Sequence, residues 1–436
     1  MNLGQIIDRC GNILDYSPAL TSYRQEVRDI VNMVYLELFG ERPFQFAQKT
    51  TKITAYPDAK PAGTAITLTG GSNDVICAGL FATYMNGMIL EVQGSTTANN
   101  NGEYIIRHVS TTDRVYVENE DGSTPSFTAD ATTAGNANLT LTVKHRYVDL
   151  PQDCIAPLAV GIRTPGSSAS QPMDYLTMYL DEAMNLDLDE VSRPTDFIHM
   201  SPVSVNGPPK APTVASAGGG SPVPAGTYDA VYTIMVNGRE SSASPVSAYV
   251  TLGVAAPLQS SDLLLTGANT GRVKKVYVRG PNSDAFYYVA QVAVGTTDTA
   301  GTIALATNPH WLTDRNTYPK LPENDGLYTR LRMYPRQDAE YSLTVRYLFR
   351  PEKLLDESDI PVLPAANHIY LVYRTCQELF SKHNNMPQSQ MYQLKADREL
   401  QNLMNRYLSQ KTATYIKGAF RSGSLFQRPM PVLTHS

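Results

Sequence analysis

Much that would announce a chemistry is missing from this sequence. Only four cysteines occur in 436 residues, Cys10, Cys77, Cys154 and Cys376, and no two form a C-x-x-C pair. Zinc and disulfide frameworks need closely spaced cysteines, so reduced thiols buried as small hydrophobes are expected instead. The seven histidines are scattered; none makes H-x-x-x-H and none stands beside a cysteine at ligand spacing. His368 and His383 flank one expected helix at opposite ends, which keeps them off a common metal. No segment reaches the ~20 apolar residues of a membrane span. The opening MNLGQIIDRCGNIL lacks a basic run ahead of an apolar core, so no secretory signal is expected and maturation in a reducing, cytoplasm-like compartment follows.

An excess of positive charge is missing too. Lys and Arg number 36 against 41 Asp and Glu, a net charge of −5, which is no footprint for wrapping nucleic acid. One tryptophan, Trp311, stands beside 26 tyrosines and 11 phenylalanines. Tyrosine joins apolar area to a polar handle, and its abundance suits contact surfaces and ordinary β-domains alike.

Catalytic signatures fail on inspection. GANTGRVKK, Gly267 to Lys275, lacks the G-x-x-x-x-G-K-[ST] order of a phosphate loop, and its lysine pair leads into a strand. The acidic run YLDEAMNLDLDE brings Asp181, Glu182, Asp187, Asp189 and Glu190 together in sequence. Spacing along a chain does not establish a glycosidase pair, and the D-x-[DN]-x-[DN]-G pattern of a calcium loop is absent, so a solvated acidic face is expected. There is no nucleophile elbow, Walker loop or dinucleotide fingerprint. The chain is therefore expected to be no enzyme, with no catalytic residue, cofactor or metal.

The patterning that is present divides the chain. SPALTSYRQEVRDIVNMVYLELFG reads as a helix with Ser17 as N-cap, Pro18 in the first turn and a stop at Gly40. Lys52 to Val148 reads as short alternating strands broken by NNNGEY and NEDGS turns. LPQDCIAPLAVGIRT is strand-like, MDYLTMYLDEAMNL a short helix, and SRPTDFIHM follows. NGPPKAPTVASAGGGSPVPAG is a linker, and behind it TYDAVYTIMV, SAYVTL, VKKVYVRG and AFYYVAQVAV recur at the spacing of an immunoglobulin- or fibronectin-like sandwich. Tyr341, Leu343, Val345 and Tyr347 alternate as a strand. An acidic, proline-spaced bridge then leads to helical periodicity through Ile369, Val372, Tyr373, Cys376, Leu379 and Phe380. A last helix, from about Pro387 to Ser409, completes an antiparallel hairpin.

The expected fold class is α+β: a helical-bundle core with a small sheet, carrying two inserted β-domains. The discontinuous core takes residues 1–57, 145–207 and 326–411. The inserts are a small β-domain, 58–144, and the sandwich, 208–325; an extended tail, 412–436, follows.

Without its inserts, the chain reads in a familiar order. Leu150, Pro151 and Asp153 form an L-P-x-D strand end, a short helix follows, then R-P-T at 193–195. Next come an L-x-x-Y-P strand (LRMYP), the Y-x-L-x-V-x-Y strand of Tyr341 to Tyr347, and a D-x-P-x-L-P turn into the hairpin. This order resembles the head-to-tail adaptor family of short-tailed bacteriophages, the tail tubular protein A or gatekeeper-like group. The resemblance implies a virion structural protein, a connector ring of usually twelvefold symmetry. Such a ring joins the portal protein to the tail tube or nozzle protein, and double-stranded DNA passes through it non-specifically during ejection. It implies location in the virion neck, assembly in the host bacterial cytoplasm and no membrane insertion; contact with tail fibres stays open. Pro351, Pro361 and Pro364 would set the angle between sheet and bundle. Tyr370, Tyr373, Arg374 and Tyr407 would either meet neighbouring subunits or pack the hairpin on its own subunit. Tyr415, Lys417, Phe420, Arg421, Phe426 and Arg428 would dock the tail in a portal groove, a frayed terminus being the alternative. Another tail component, such as a nozzle or fibre-docking protein, and a carbohydrate-binding tail adhesin are the competing readings.

Overall fold

In the computed structural model, the described residues are 1–408 except 17–20, 42, 62–64, 83–84, 86, 120–122, 133–135, 165–169, 177–190, 217–222, 237–238, 262–272, 282, 293–302, 306–318 and 323–325. The alternating run Tyr341–Phe349 is the central strand of the core. It pairs antiparallel with Gln48–Ala55 on one side and Cys154–Arg163 on the other, so that Val345 lies between Thr51 and Val160. Tyr341, Leu343, Val345 and Tyr347 are buried while Arg346 is exposed, the period-two pattern of a strand with one face inward. Pro157, which cannot donate to a ladder, sits at an irregularity in the register of its strand. A second sheet takes the order Asp174–Leu176, Asp196–Ser204, Leu327–Tyr334, Val148–Asp149.

Four helices occur among the described residues: α1 (Leu3–Leu14), α2 (Thr21–Glu41), α3 (His368–Lys382) and α4 (Met386–Tyr407). They lie against these sheets and share one core with them, which includes Tyr35, Phe39, Val160, Leu331, Val345 and Leu371. α3 is central: no residue from His368 to Phe380 is exposed, and α1, α2 and α4 all pack on it. α4 buries only Ser389, Ala396 and Leu403, a single seam at seven-residue spacing.

The expected helical-bundle core is therefore corrected. The chain is mostly β, its strands forming several curled sheets, and the four described helices share a core with them rather than forming a bundle of their own. LPQDCIAPLAVGIRT, which reads as strand-like, and LRMYP, which reads as a strand, pair with SRPTDFIHM and other distant segments into larger sheets than a small accessory sheet allows. The expected helix beginning MDYL shows the same effect. Asp174–Leu176 is a strand parallel to Asp196–Ile198, because a partner strand distant in sequence overrides local helical spacing. The rest of that segment, with Asp181, Glu182, Asp187, Asp189 and Glu190, lies outside the described residues, as do Ser17, Pro18 and Trp311.

Two β-units branch from this core. Seven strands between Ile66 and Lys144 form one sheet with its own apolar core of Leu68, Val75, Leu90, Ile106, Val117 and Leu141. Gly94 holds φ +72° there, and a Cβ at this position would lie 2.0 Å from the Asn138 carbonyl oxygen. No other residue fits. The second unit pairs a three-stranded sheet (Thr213–Ser216, Leu258–Ser261, Ile303–Leu305) with a five-stranded one centred on Gly226–Val236. Tyr228, Ala230, Tyr232, Ile234, Val276 and Leu258 fill the space between them. The chain leaves and returns at adjacent points, since Ser204 is paired with Leu327 and Val205 N–H donates to Gly326 C=O at 2.9 Å.

Along strand Gly226–Val236 runs SSASPVS, which is not itself a strand. The N–H groups of Ser241, Ser244 and Ser247 donate to the carbonyls of Ile234, Tyr232 and Ala230, each at 2.9 Å. Their hydroxyls accept from the N–H groups of the same three residues at 3.0, 3.1 and 2.9 Å. Each hydroxyl donates onward to the next residue's carbonyl at 2.7–3.0 Å. A serine every third residue thus stands in for the acceptors that a paired strand would supply, and Pro245 falls where no donor is needed. Ser244→Ala leaves the buried Tyr232 N–H without its acceptor, a loss of about 1–3 kcal/mol. Val246→Ala, at an exposed site, stays within about 0.5 kcal/mol; urea unfolding of the full chain measures both.

Candidate functional site

The bridge RPEKLLDESDIPVLP, between the central strand and α3, is where the distant parts of the chain meet. Its prolines limit its own freedom: Pro351 and Pro361 are buried, and half-buried Pro364 opens the short turn Ala365–Asn367 ahead of α3. Its carboxylates bind outward. Asp356 accepts from Ser283 Oγ at 3.2 Å, Asp284 N–H at 3.1 Å and Tyr287 OH at 2.5 Å, all on the sandwich. Glu357 takes Arg24 at 2.6 Å, and Arg24 also holds Asp8 of α1 at 2.8 Å. Asp359, 2 % exposed, accepts from Leu355 N–H at 2.8 Å, Asp356 N–H at 3.0 Å and Lys320 Nζ at 2.6 Å.

α2 reads the bridge with one stripe. Arg24, Arg28, Asn32 and Tyr35 recur at helical spacing and share a flank. Arg28 pairs with Asp284 and reaches Leu355 C=O. The buried Asn32 amide donates to Leu354 C=O at 2.9 Å and accepts from Leu354 N–H at 2.7 Å. Tyr35 OH accepts from Val362 N–H at 2.9 Å, and burial raises this phenol to about 12.

The start of α1 closes on the same bridge. A helix leaves its first N–H groups without internal partners, and here each has one. Asn2 N–H and Gln5 N–H are exchanged in a capping box with the Gln5 and Asn2 side chains. Leu3 N–H donates to Asp359 C=O at 2.8 Å and Gly4 N–H to Glu357 C=O at 2.9 Å. A Cβ on Gly4 would sit 3.3 Å from Glu357 Cβ, so the small residue permits this approach.

Asp356 and Asp359 each gather three donors, which suits a fastening rather than proton transfer. Burial alone would raise the Asp359 carboxyl, but Lys320 and the N–H groups of Asp356 and Leu355 outweigh it and hold it below the usual carboxylate range. Elsewhere, a cleft of about 1010 Å³ is lined by Asp58, Lys60, Glu91, Lys144 and Arg336. Four of these charges are paired, Lys144 with Glu91 at 2.7 Å and Arg336 with Asp58 at 3.0 Å. Among the described residues no group of three His, Cys, Asp or Glu side chains is placed to hold a metal ion. All four cysteines are buried and unbridged. Contact with Cys376, then burial, raises the Cys10 thiol.

The residues singled out on the hairpin are not brought together at one surface. Tyr370 is buried in the core. Tyr373 is half-buried beside Tyr392, ring centroids 6.0 Å apart. Arg374 pairs with Glu378 at 3.3 Å and with Gln377. Tyr407 lies edge-on to Phe46 at 5.7 Å. Tyr415, Lys417, Phe420, Arg421, Phe426 and Arg428 lie outside the described residues. The Arg24–Arg28–Asn32–Tyr35 stripe and Lys320 were not singled out from sequence. The spacing of Arg24, Arg28, Asn32 and Tyr35 along one flank of the helix was the available signal, and the helix's other polar residues, among them Gln25, Glu26, Asp29 and Glu37, mask it. No protein-family model matches the chain, and no curated protein matches it.

Asp359→Asn leaves Lys320 buried without its counter-charge, at a cost of about 3–5 kcal/mol near neutral pH. Because the folded carboxyl titrates below its unfolded value, its contribution is complete above the unfolded value of about 3.9 and is lost as pH falls through the folded one. The stability gap between wild type and Asp359→Asn, from denaturant unfolding at stepped pH, is therefore expected to be flat above about pH 5 and to close in more acidic solution.

Proposed function

We propose that this protein is a virion structural component, a head-to-tail adaptor of a short-tailed bacteriophage that joins portal to tail as a ring around the DNA channel. The observation that supports the reading is that the ordered segments of the family resemblance bond to one another. Asp153 of L-P-x-D accepts from Tyr347 OH of Y-x-L-x-V-x-Y at 3.0 Å and from Lys49 Nζ at 2.6 Å. Its carbonyl takes Arg350 N–H at 2.7 Å at the head of the bridge. Thr195 of R-P-T donates its N–H to Tyr334 C=O of L-x-x-Y-P at 3.1 Å. Motifs scattered along the sequence thus converge on one core, from which the two β-units branch.

On this reading the core supplies the ring body and the bridge fixes the helices against it. The β-units are outward modules available to tail or fibre proteins. Portal docking falls to residues 412–436, where aromatic and basic residues alternate with no acidic one, a composition suited to an acidic groove and to salt-sensitive binding.

Electron microscopy and native mass spectrometry of the full-length protein, alone and with the portal protein of the same virus, test the proposal. A ring, or a portal-bound ring that weakens on truncation after Ser409, is expected. A monomer that ignores the portal and binds a glycan array would replace the adaptor with the adhesin.

A further inference from the structure

Two helix faces of this molecule carry opposite charge and are left open by the fold. On α2 the outward residues are Asp29, Met33, Leu36 and Glu37, with Met33 51 % exposed. The helix's other described charges are engaged: Arg24 with Asp8 and Glu357, Arg28 with Asp284, and Glu26 with Lys382. Asp29 and Glu37 make no ion pair among the described residues. On α4 the corresponding stripe is Met391, Leu394, Lys395, Arg398 and Arg406, with Leu394 72 % exposed. Lys395 lies over the Tyr392 ring at 4.4 Å, and Arg398 and Arg406 have no acidic partner among the described residues. Helical spacing places Asp397 on the other flank of α4, while half-buried Glu399 accepts from Asn402 at 3.5 Å beside the stripe, so this face keeps three positive charges to one negative.

The two stripes match in spacing as well as in sign. Asp29 and Glu37 are eight residues apart, as are Arg398 and Arg406, so each pair spans about 12 Å of helix. Each carries apolar side chains beside its charges, Met33 and Leu36 on one, Met391 and Leu394 on the other, and methionine adapts readily to a partner surface. The covered helix α3 stands between α2 and α4, which keeps one stripe from satisfying the other within a chain.

We propose that the acidic stripe of α2 docks on the basic stripe of α4 in a second copy of this chain. The contact is head-to-tail, using two different patches, so every copy presents both and the association repeats; where the rotation closes it gives a ring. A nucleic acid would suit α4 and be repelled by α2, whereas one neighbouring copy suits both. The apolar centre supplies affinity and the flanking charges set register and encounter rate. The proposal deepens the ring reading by naming its contact surfaces, and it stands on charge and spacing independently of what lies above or below the ring.

Sedimentation velocity and native mass spectrometry of the full-length chain provide the test, with D29R/E37R and R398E/R406E as variants and circular dichroism as the folding control. Like charges then face each other, and self-association of each variant alone is expected to weaken roughly a hundredfold. Mixing the two variants in equal amounts restores assembly, because each supplies the sign that the other lacks. High salt weakens the wild type. Wild type that stays monomeric at its highest attainable concentration, variants that assemble like wild type, or a mixture that fails to recover, would each overturn the proposal. Rings that form on the portal regardless of these substitutions would overturn it while leaving the adaptor reading intact.

Discussion

Asp356, Glu357 and Asp359 lie within four residues, yet they hold the sandwich, the first helix and the second helix to one short bridge. The constraint behind this is desolvation. A buried carboxylate such as Asp359 is tolerated only when donors meet it, and half-buried Asp356 and exposed Glu357 likewise take donors from parts of the chain far away in sequence. The bridge therefore cannot move without unsatisfying several elements at once. Its backbone carries a second load, since carbonyls of Glu357 and Asp359 complete the first turn of α1. The bridge between central sheet and α3 is tied down by these bonds to three other parts of the chain.

How much of this was legible from sequence varied with the range of the interactions. The strand Tyr341–Phe349 and helices α2, α3 and α4 announce themselves by period, because burial on one face imposes it locally. The core sheets do so only in part: LPQDCIAPLAVGIRT reads as strand-like and LRMYP as a strand, but the extent of the sheets they join does not show. Cys154–Arg163 contains a proline and two register irregularities, and Asp174–Leu176 is three residues long. Such strands exist only because partners distant in sequence complete them, and a local period weighs too little to reveal that. The helical-bundle expectation failed for this reason: helices are conspicuous in sequence and short paired strands are not.

The candidate site was legible in outline only. Acidic residues and prolines marked the bridge as unusual, but their counterparts, Arg24, Asn32, Tyr35, Lys320 and Ser283, are ordinary residues in ordinary surroundings. Tyr370 shows what side-chain type leaves open. A tyrosine there suits either a neighbouring subunit or the chain's own hairpin; its helix is the covered one and the ring packs in the chain's own core. Side-chain type indicates what a residue can do; the depth of its element in the fold decides whether it meets a neighbour.

The serine ladder beside Gly226–Val236 bears on life at high local concentration. An open strand edge is a template on which a second chain can add its own strand. Wherever copies of such a unit stand close together, even a slow edge-to-edge pairing has time to occur. Three hydroxyls occupy the acceptor positions that an intruding strand would fill, and Pro245 between them cannot extend a ladder outward. A short hydroxylated segment thus works as a permanent guard, leaving a second chain no row of open donors and acceptors along that stretch of strand on which to build.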